Sequence, residues 1–192
     1  EALDYYSTPT EEVTNILNRL NIDFNEQTIL EPCAGGGHML KGLLNYKGSK
    51  GAIIKASDIK ERGNVSGIEI NNGIEYDFLS DNYPFTTGID YILMNPPYSV
   101  IEPFVLKSLE IAQKKVILLG RLQFLEGEKR FNKIFNTLKP VEVYVYVDRI
   151  ACYKNGNISE KISSIQAYAW FVFEKGVNGP TTIDWLRRSD KY

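Results

Sequence analysis

Ile89-Asp90-Tyr91-Ile92-Leu93-Met94-Asn95-Pro96-Pro97-Tyr98 is the stretch that settles how this chain folds. A mostly apolar run of strand length stops at an asparagine and two prolines. Proline fixes its own φ, lacks an N–H and restricts the residue before it, so neither Pro96 nor Pro97 continues a ladder. The strand is therefore predicted to end at Met94, with a rigid turn after it. The same pattern recurs upstream. Thr28-Ile29-Leu30 runs into Glu31-Pro32-Cys33-Ala34-Gly35-Gly36-Gly37, Gly51 to Ala56 into Ser57-Asp58, and Ile74-Glu75-Tyr76 into Asp77-Phe78-Leu79. Ile68 to Asn72 reads as one more short β element.

Helical stretches alternate with these strands. Thr10 to Leu20 places Val13, Ile16, Leu17 and Leu20 on one face behind Pro9, as an amphipathic helix does. Further helices are predicted from about His38 to Tyr46, from Ile101 to Lys114, and over the charged span Gly127 to Leu138. Val116-Ile117-Leu118-Leu119 is wholly apolar, the mark of a parallel strand covered on both faces. Val141 to Val147 and Ile165 to Phe173 are joined by a polar loop without a helix, so they are expected to pair antiparallel. The fold class is α/β: a doubly wound, Rossmann-like, mostly parallel sheet with an antiparallel edge strand.

With 192 residues, 43% hydrophobic and 24% charged, the chain suits a single domain over residues 1–192. Its start at Glu1 reads as trimmed, and the last strand is expected to end near Glu174, leaving Gly176 to Tyr192 as a short tail. Cys33 and Cys152 have no metal-site or disulfide spacing. No apolar run reaches the roughly 20 residues of a membrane span, and no signal peptide is visible, so the expected location is cytoplasmic. The net charge of −2 counts against a free-standing nucleic-acid binder but leaves room for a local basic rim.

In doubly wound sheets ligands sit beyond the carboxyl ends of the strands, where each motif here is predicted to lie. The Gly35-Gly36-Gly37 run allows a sharp turn and close approach to a ligand, or is a plain tight turn. It lacks both the dinucleotide Gly-x-Gly-x-x-Gly spacing and a phosphate-loop Gly-Lys-Ser/Thr, favouring a cofactor without a pyrophosphate. Asp58 can accept ribose hydroxyls or is a solvated turn residue, and Asp77 can accept from an adenine amino group. Phe78 either packs on that ring or belongs to the core. The Asn95 to Tyr98 loop offers carbonyl acceptors with few competing donors and a flat ring, which suits a planar amine. The only histidine, His38, reads as structural, and Trp170 and Phe171 as core.

These segments, in this order, resemble the S-adenosylmethionine-dependent amino-methyltransferases, most closely the N6-adenine DNA methyltransferases. The resemblance spans roughly residues 5 to 175. Tyr6-Ser7-Thr8-Pro9 is similar to the Thr-Pro motif that precedes the cofactor loop in one circular order of that family. The resemblance implies the class I methyltransferase fold, with S-adenosyl-L-methionine as cofactor and S-adenosyl-L-homocysteine as product. It implies cofactor contacts from Tyr6, Thr8, Pro9, Glu31, Pro32, Cys33, Ala34, Gly35, Asp58, Asp77, Phe78 and Asn95. Asn95, Pro96, Pro97 and Tyr98 become the catalytic loop, and Tyr153 a second contact to an adenine flipped out of DNA.

The chain departs from restriction-type relatives in having no visible target recognition domain. Arg121, Lys129, Arg130, Lys133, Arg149 and Lys154 are candidates for a phosphate-contacting rim, the Lys129 to Lys133 group being equally a solvated helix face. The tail adds Trp185, Arg187, Arg188 and Lys191. A partner subunit supplying sequence recognition fits that composition. The same tetrapeptide occurs in RNA and protein-glutamine methyltransferases; a non-catalytic cofactor-binding subunit and an oxidoreductase are the remaining alternatives.

Overall fold

Burial on both faces of one sheet organises the chain. The computed structural model describes residues 6–60, 64–65, 68–69, 75–154 and 166–191. In chain order the strands are β1 (Tyr6–Ser7), β2 (Thr28–Glu31), β3 (Ile53–Ala56), β4 (Asn64–Val65), β5 (Ile68–Glu69), β6 (Tyr91–Met94), β7 (Lys115–Arg121), β8 (Glu142–Tyr146), β9 (Tyr153–Lys154), β10 (Tyr168–Glu174) and β11 (Thr182–Leu186). The helices are α1 (Thr10–Leu20), α2 (His38–Asn45), α3 (Ile101–Ile111) and the short α4 (Glu128–Arg130). Seven strands form one sheet in the order β11-β8-β10-β7-β6-β2-β3. Neighbours run parallel throughout except β10, which is antiparallel to both β7 and β8.

Alternation along each strand divides the apolar residues between two cores. Ile29, Leu93, Ile117, Leu119, Trp170 and Val172 face one way, with Val13, Ile16 and Leu17 of α1 and Met39 and Leu43 of α2. Leu30, Ile92, Met94, Val116, Leu118, Phe171 and Phe173 face the other way, with Phe104 and Val105 of α3. Trp170 is fully buried and donates from its indole N–H to the Tyr146 hydroxyl at 2.9 Å. The α/β sheet with its antiparallel member is the architecture expected from the sequence.

Four local expectations are corrected. The charged span Gly127 to Leu138 is not one long helix: α4 passes directly into a π-helical turn, Phe131–Phe135. Only Ile134 is buried in that turn, and Phe131 and Leu138 are exposed, so there is no continuous apolar stripe to hold a longer helix. The helix begun at Ile101 ends at Ile111, because Ala112 is already extended. The tail contributes β11, which pairs parallel with β8 outside the antiparallel strand. Thr181 Oγ1 donates to the Pro140 carbonyl and the Thr182 N–H to the Val141 carbonyl, at 2.7 and 3.0 Å. Glu75 and Tyr76 lie outside any strand. Of the span Ile68 to Asn72, Ile68–Glu69 pair with β4 and residues 70–72 lie outside the described residues.

Helices α1 and α2 meet at Gly42, where an added Cβ would lie 2.5 Å from Val13 Cβ and 2.6 Å from the Thr10 carbonyl oxygen. Gly42→Ala is expected to lower stability by about 1–3 kcal/mol through overpacking, although alanine is the better helix former by about 1 kcal/mol. Chemical denaturation checks this; an unchanged or raised midpoint would show that α1 can move away at no cost.

Candidate functional site

The loops that leave the carboxyl ends of β2, β3 and β6 converge on one cleft. After Glu31, the chain turns through Gly35 (φ 53°) and Gly37 (φ 73°), both left-handed, before α2 begins. Such φ values are strained for a residue bearing a Cβ. The turn is laced to the loop after β3. The Ala34 N–H donates to the Ser57 carbonyl (2.9 Å), and the Gly35 N–H donates to Asp58 Oδ2 (2.7 Å). Asp58 Oδ1 accepts from the Lys60 N–H at 3.0 Å. Asp58 is therefore locked at the cleft rim by backbone amides from both sides.

The β6 loop is anchored differently. Asn95 Nδ2 donates to the Tyr6 carbonyl and to Thr8 Oγ1, each at 3.0 Å. Both amide hydrogens are thereby used, which leaves Oδ1 as the acceptor that the side chain can present. Tyr6–Ser7 itself pairs antiparallel with Tyr153–Lys154, a contact the sequence does not announce.

A cavity of about 220 Å³ brings together Tyr6, Pro32, Cys33, Asp58, Asp77, Phe78, Asn95 and Pro97, all singled out in the sequence. Ile59, Tyr76, Leu79, Val100 and Phe104 complete its apolar wall and were missed; isolated apolar residues in loops carry no pattern. A second cavity of about 20 Å³ shares Tyr6, Cys33 and Asn95 and adds Thr8, Glu31, Ala34 and His38. His38 thus combines a place at the start of α2 with a place on a cavity wall.

Three candidate residues, Pro9, Gly35 and Pro96, line neither cavity. Pro9 caps α1, Gly35 acts through its bond to Asp58, and Pro96 is buried. Phe78 is 2% exposed and packs on Phe104 and Tyr83 at 4.8 and 5.0 Å, so most of it belongs to the core. Asp77 accepts from the Leu79 N–H at 2.9 Å. The Tyr153 side chain lies outside the described residues.

Tyr98 is already engaged. The Arg121 guanidinium lies over its ring at 4.0 Å, the Tyr6 ring is 5.6 Å away, and its hydroxyl donates to the Tyr168 hydroxyl at 2.9 Å. Arg121 Nε is buried with no partner. Of the basic group considered for a rim, Arg130 is bound to the Gln123 and Glu126 carbonyls and paired with Glu102.

Burial, followed by the negative charge of Asp58, pushes the Glu31 carboxyl well above the usual carboxylate range, and Glu31 Oε2 has no hydrogen-bond partner. Burial also raises the Cys33 thiol, reinforced by Glu31 and Asp58. Burial, then Lys41, lowers His38. The smaller cavity thus carries one buried, unpartnered carboxyl oxygen on its wall. Among the described residues no cluster of metal-ligating side chains occurs, and no helix is long and apolar enough to cross a membrane.

No protein-family model matches the chain, and no curated protein matches it in sequence. Solved structures do match its fold. A structure from Pyrococcus horikoshii described as a candidate RNA methyltransferase is 16% identical, with a TM-score of 0.60 over 91% of this chain and 88% of that one. A type I restriction-modification methyltransferase subunit from Streptococcus thermophilus is 14% identical, with a TM-score of 0.66; it covers all of this chain, which spans 49% of that subunit. An S-adenosylmethionine-dependent O-methyltransferase from Thermotoga maritima is 13% identical, with a TM-score of 0.55 over 92% and 69%. The chain has the α/β class I methyltransferase fold.

Proposed function

We propose that this chain transfers the methyl group of S-adenosylmethionine to an exocyclic amino group, with N6 of an adenine flipped out of DNA as the target. The observation that carries this reading is the convergence of Asp58, Asp77 and Asn95 on one cavity, Asn95 with both amide hydrogens occupied.

The residues present fit the cofactor. Glu31 Oε2, buried and unpartnered, suits the α-ammonium of the methionyl end. Asp58 would accept from the ribose hydroxyls and Asp77 from the adenine amino group, with Ile59, Phe78 and Phe104 of the same cavity against the ring. S-adenosylmethionine supplies the methyl as a sulfonium, a leaving group that needs no metal. Asn95 Oδ1 and the Pro96 carbonyl accept the two hydrogens of the target nitrogen, which favours a more tetrahedral amine with its lone pair free. The amine is neutral at the outset, so no general base is required before attack, and the methylated nitrogen would lose its extra proton to solvent afterwards. Alignment of nitrogen, methyl and sulfur supplies most of the acceleration.

DNA is favoured by the Tyr6 to Pro9 segment and by the type I restriction-modification neighbour. The chain spans about half the length of that subunit, and a partner subunit is proposed as the source of sequence recognition. RNA is the second reading, favoured by the Pyrococcus neighbour.

With tritiated cofactor, label is expected in DNA as N6-methyladenine, and Asn95→Ala is expected to lower the rate at least 100-fold. Label confined to RNA or protein overturns the DNA target. Glu31 generates a separate pH prediction. Its folded-state pKa is raised, so below that pKa the free protein holds a proton there, and a bound ammonium expels it. Binding of S-adenosylhomocysteine should therefore strengthen as pH rises through the Glu31 pKa and release a proton, read by calorimetry in buffers of different ionisation enthalpy. Glu31→Gln should abolish the release; its persistence would assign the proton to another group.

A further inference from the structure

We infer that Thr8 and the Tyr6 backbone carbonyl act as positioning groups for the catalytic amide, holding Asn95 so that Oδ1 rather than Nδ2 faces the substrate amine. This rests on the function proposed above and assigns β1 a role distinct from cofactor contact.

An asparagine amide is nearly symmetric in shape and opposite in chemistry at its two ends. Flipped by 180° about its last torsion, Asn95 would present two hydrogens to an amine that must itself donate, and the site would repel the substrate it is meant to hold. Something must distinguish the two orientations. Tyr6 offers a backbone carbonyl, an obligate acceptor, 3.0 Å from Nδ2. Thr8 offers its hydroxyl, also at 3.0 Å. In the flipped amide, Oδ1 would oppose the Tyr6 carbonyl oxygen, and one of the two bonds would turn into a repulsion. Thr8 is 3% exposed, so solvent offers no ready substitute for either partner.

The remainder of β1's environment supports a rigid anchor. Its two residues pair with β9, in register Tyr6 with Lys154 and Ser7 with Tyr153. Two residues beyond Thr8 the chain enters α1, where Thr10 Oγ1 donates to the His38 carbonyl (3.2 Å) and Thr14 Oγ1 to the Gly42 carbonyl (3.0 Å). β1 is thus fixed on one side to the connection between β8 and β10, and on the other to α2. The β9 contact also ties the hold on Asn95 to the loop on the proposed substrate side.

The test uses the whole chain with two variants and two independent readouts. Thr8→Val keeps the side-chain shape and removes the acceptor; Thr8→Ser keeps the hydroxyl. In ¹⁵N-labelled protein, the Asn95 side-chain NH2 is identified by its loss in Asn95→Ala. Its hydrogen exchange should be slow in wild type and Thr8→Ser and about tenfold faster in Thr8→Val. In parallel, the single-turnover methyl-transfer rate should fall about tenfold in Thr8→Val, recover in Thr8→Ser, and show no change in S-adenosylhomocysteine affinity. Weakened cofactor binding in Thr8→Val with the Asn95 amide still protected would make Thr8 a cofactor contact and overturn the inference. Unchanged exchange and rate would also overturn it. Should exchange respond as expected while wild type methylates no DNA, the orientation of Asn95 stands and the substrate assignment falls.

Discussion

Asn95 leaves the carboxyl end of β6 and uses both hydrogens of its amide on acceptors 89 and 87 residues earlier in the chain. That pair of bonds joins Tyr6 and Thr8, at the start of the described residues, to the loop after β6, and the rest of the site is arranged around it. It also explains the choice of side chain. An aspartate at position 95 would set a carboxylate oxygen against the Tyr6 carbonyl with nothing to donate, whereas asparagine supplies two donors inward and one acceptor outward. The same constraint accounts for the prolines: with Pro96 and Pro97 lacking N–H groups, little in the loop competes for the amide oxygen.

The sheet makes this possible because parallel strands deliver all their carboxyl ends to one edge. β2, β3 and β6 are neighbours, paired Glu31 with Ala56 and Leu30 with Ile92. The turn after β2, the acid after β3 and the amide after β6 are consequently brought side by side without long loops. Two apolar cores, one on each face, hold the strands flat enough for that alignment. The bonds from the Gly35 N–H to Asp58 and from the Ala34 N–H to the Ser57 carbonyl then fix the relative height of the two loops.

The architecture and most of the cavity were legible in the sequence because they are written in local chemistry. Runs such as Val116 to Leu119 have the length and composition of buried strands, and the asparagine with two prolines can only end one. Helix α1 was legible to the residue, since its four apolar positions share a face. What escaped lacks a periodic signal. β1 and β9 are two residues each and exist only through each other. β11 buries Leu186 while Ile183 and Trp185 stay exposed, so its alternation does not read as a strand. The charges of Glu128 to Lys133 imitate a helix whose apolar face is missing. The Arg121 contact with Tyr98 joins residues on separate strands and loops, and only three-dimensional adjacency reveals it.

The distribution of charge gives the cleft a direction. On one side, Glu31 and Asp58 are close enough to raise the Glu31 pKa, and Asp77 lies on the same cavity wall as Asp58. Outside the lining of either cavity, burial keeps the Tyr98 and Tyr168 hydroxyls and the Cys152 thiol protonated, beside the cation of Arg121. Arg121 has no carboxylate partner among the described residues. Asn95, neutral and bonded through both amide hydrogens, lines both cavities and so joins the carboxyl-bearing wall to the loop that carries Tyr98.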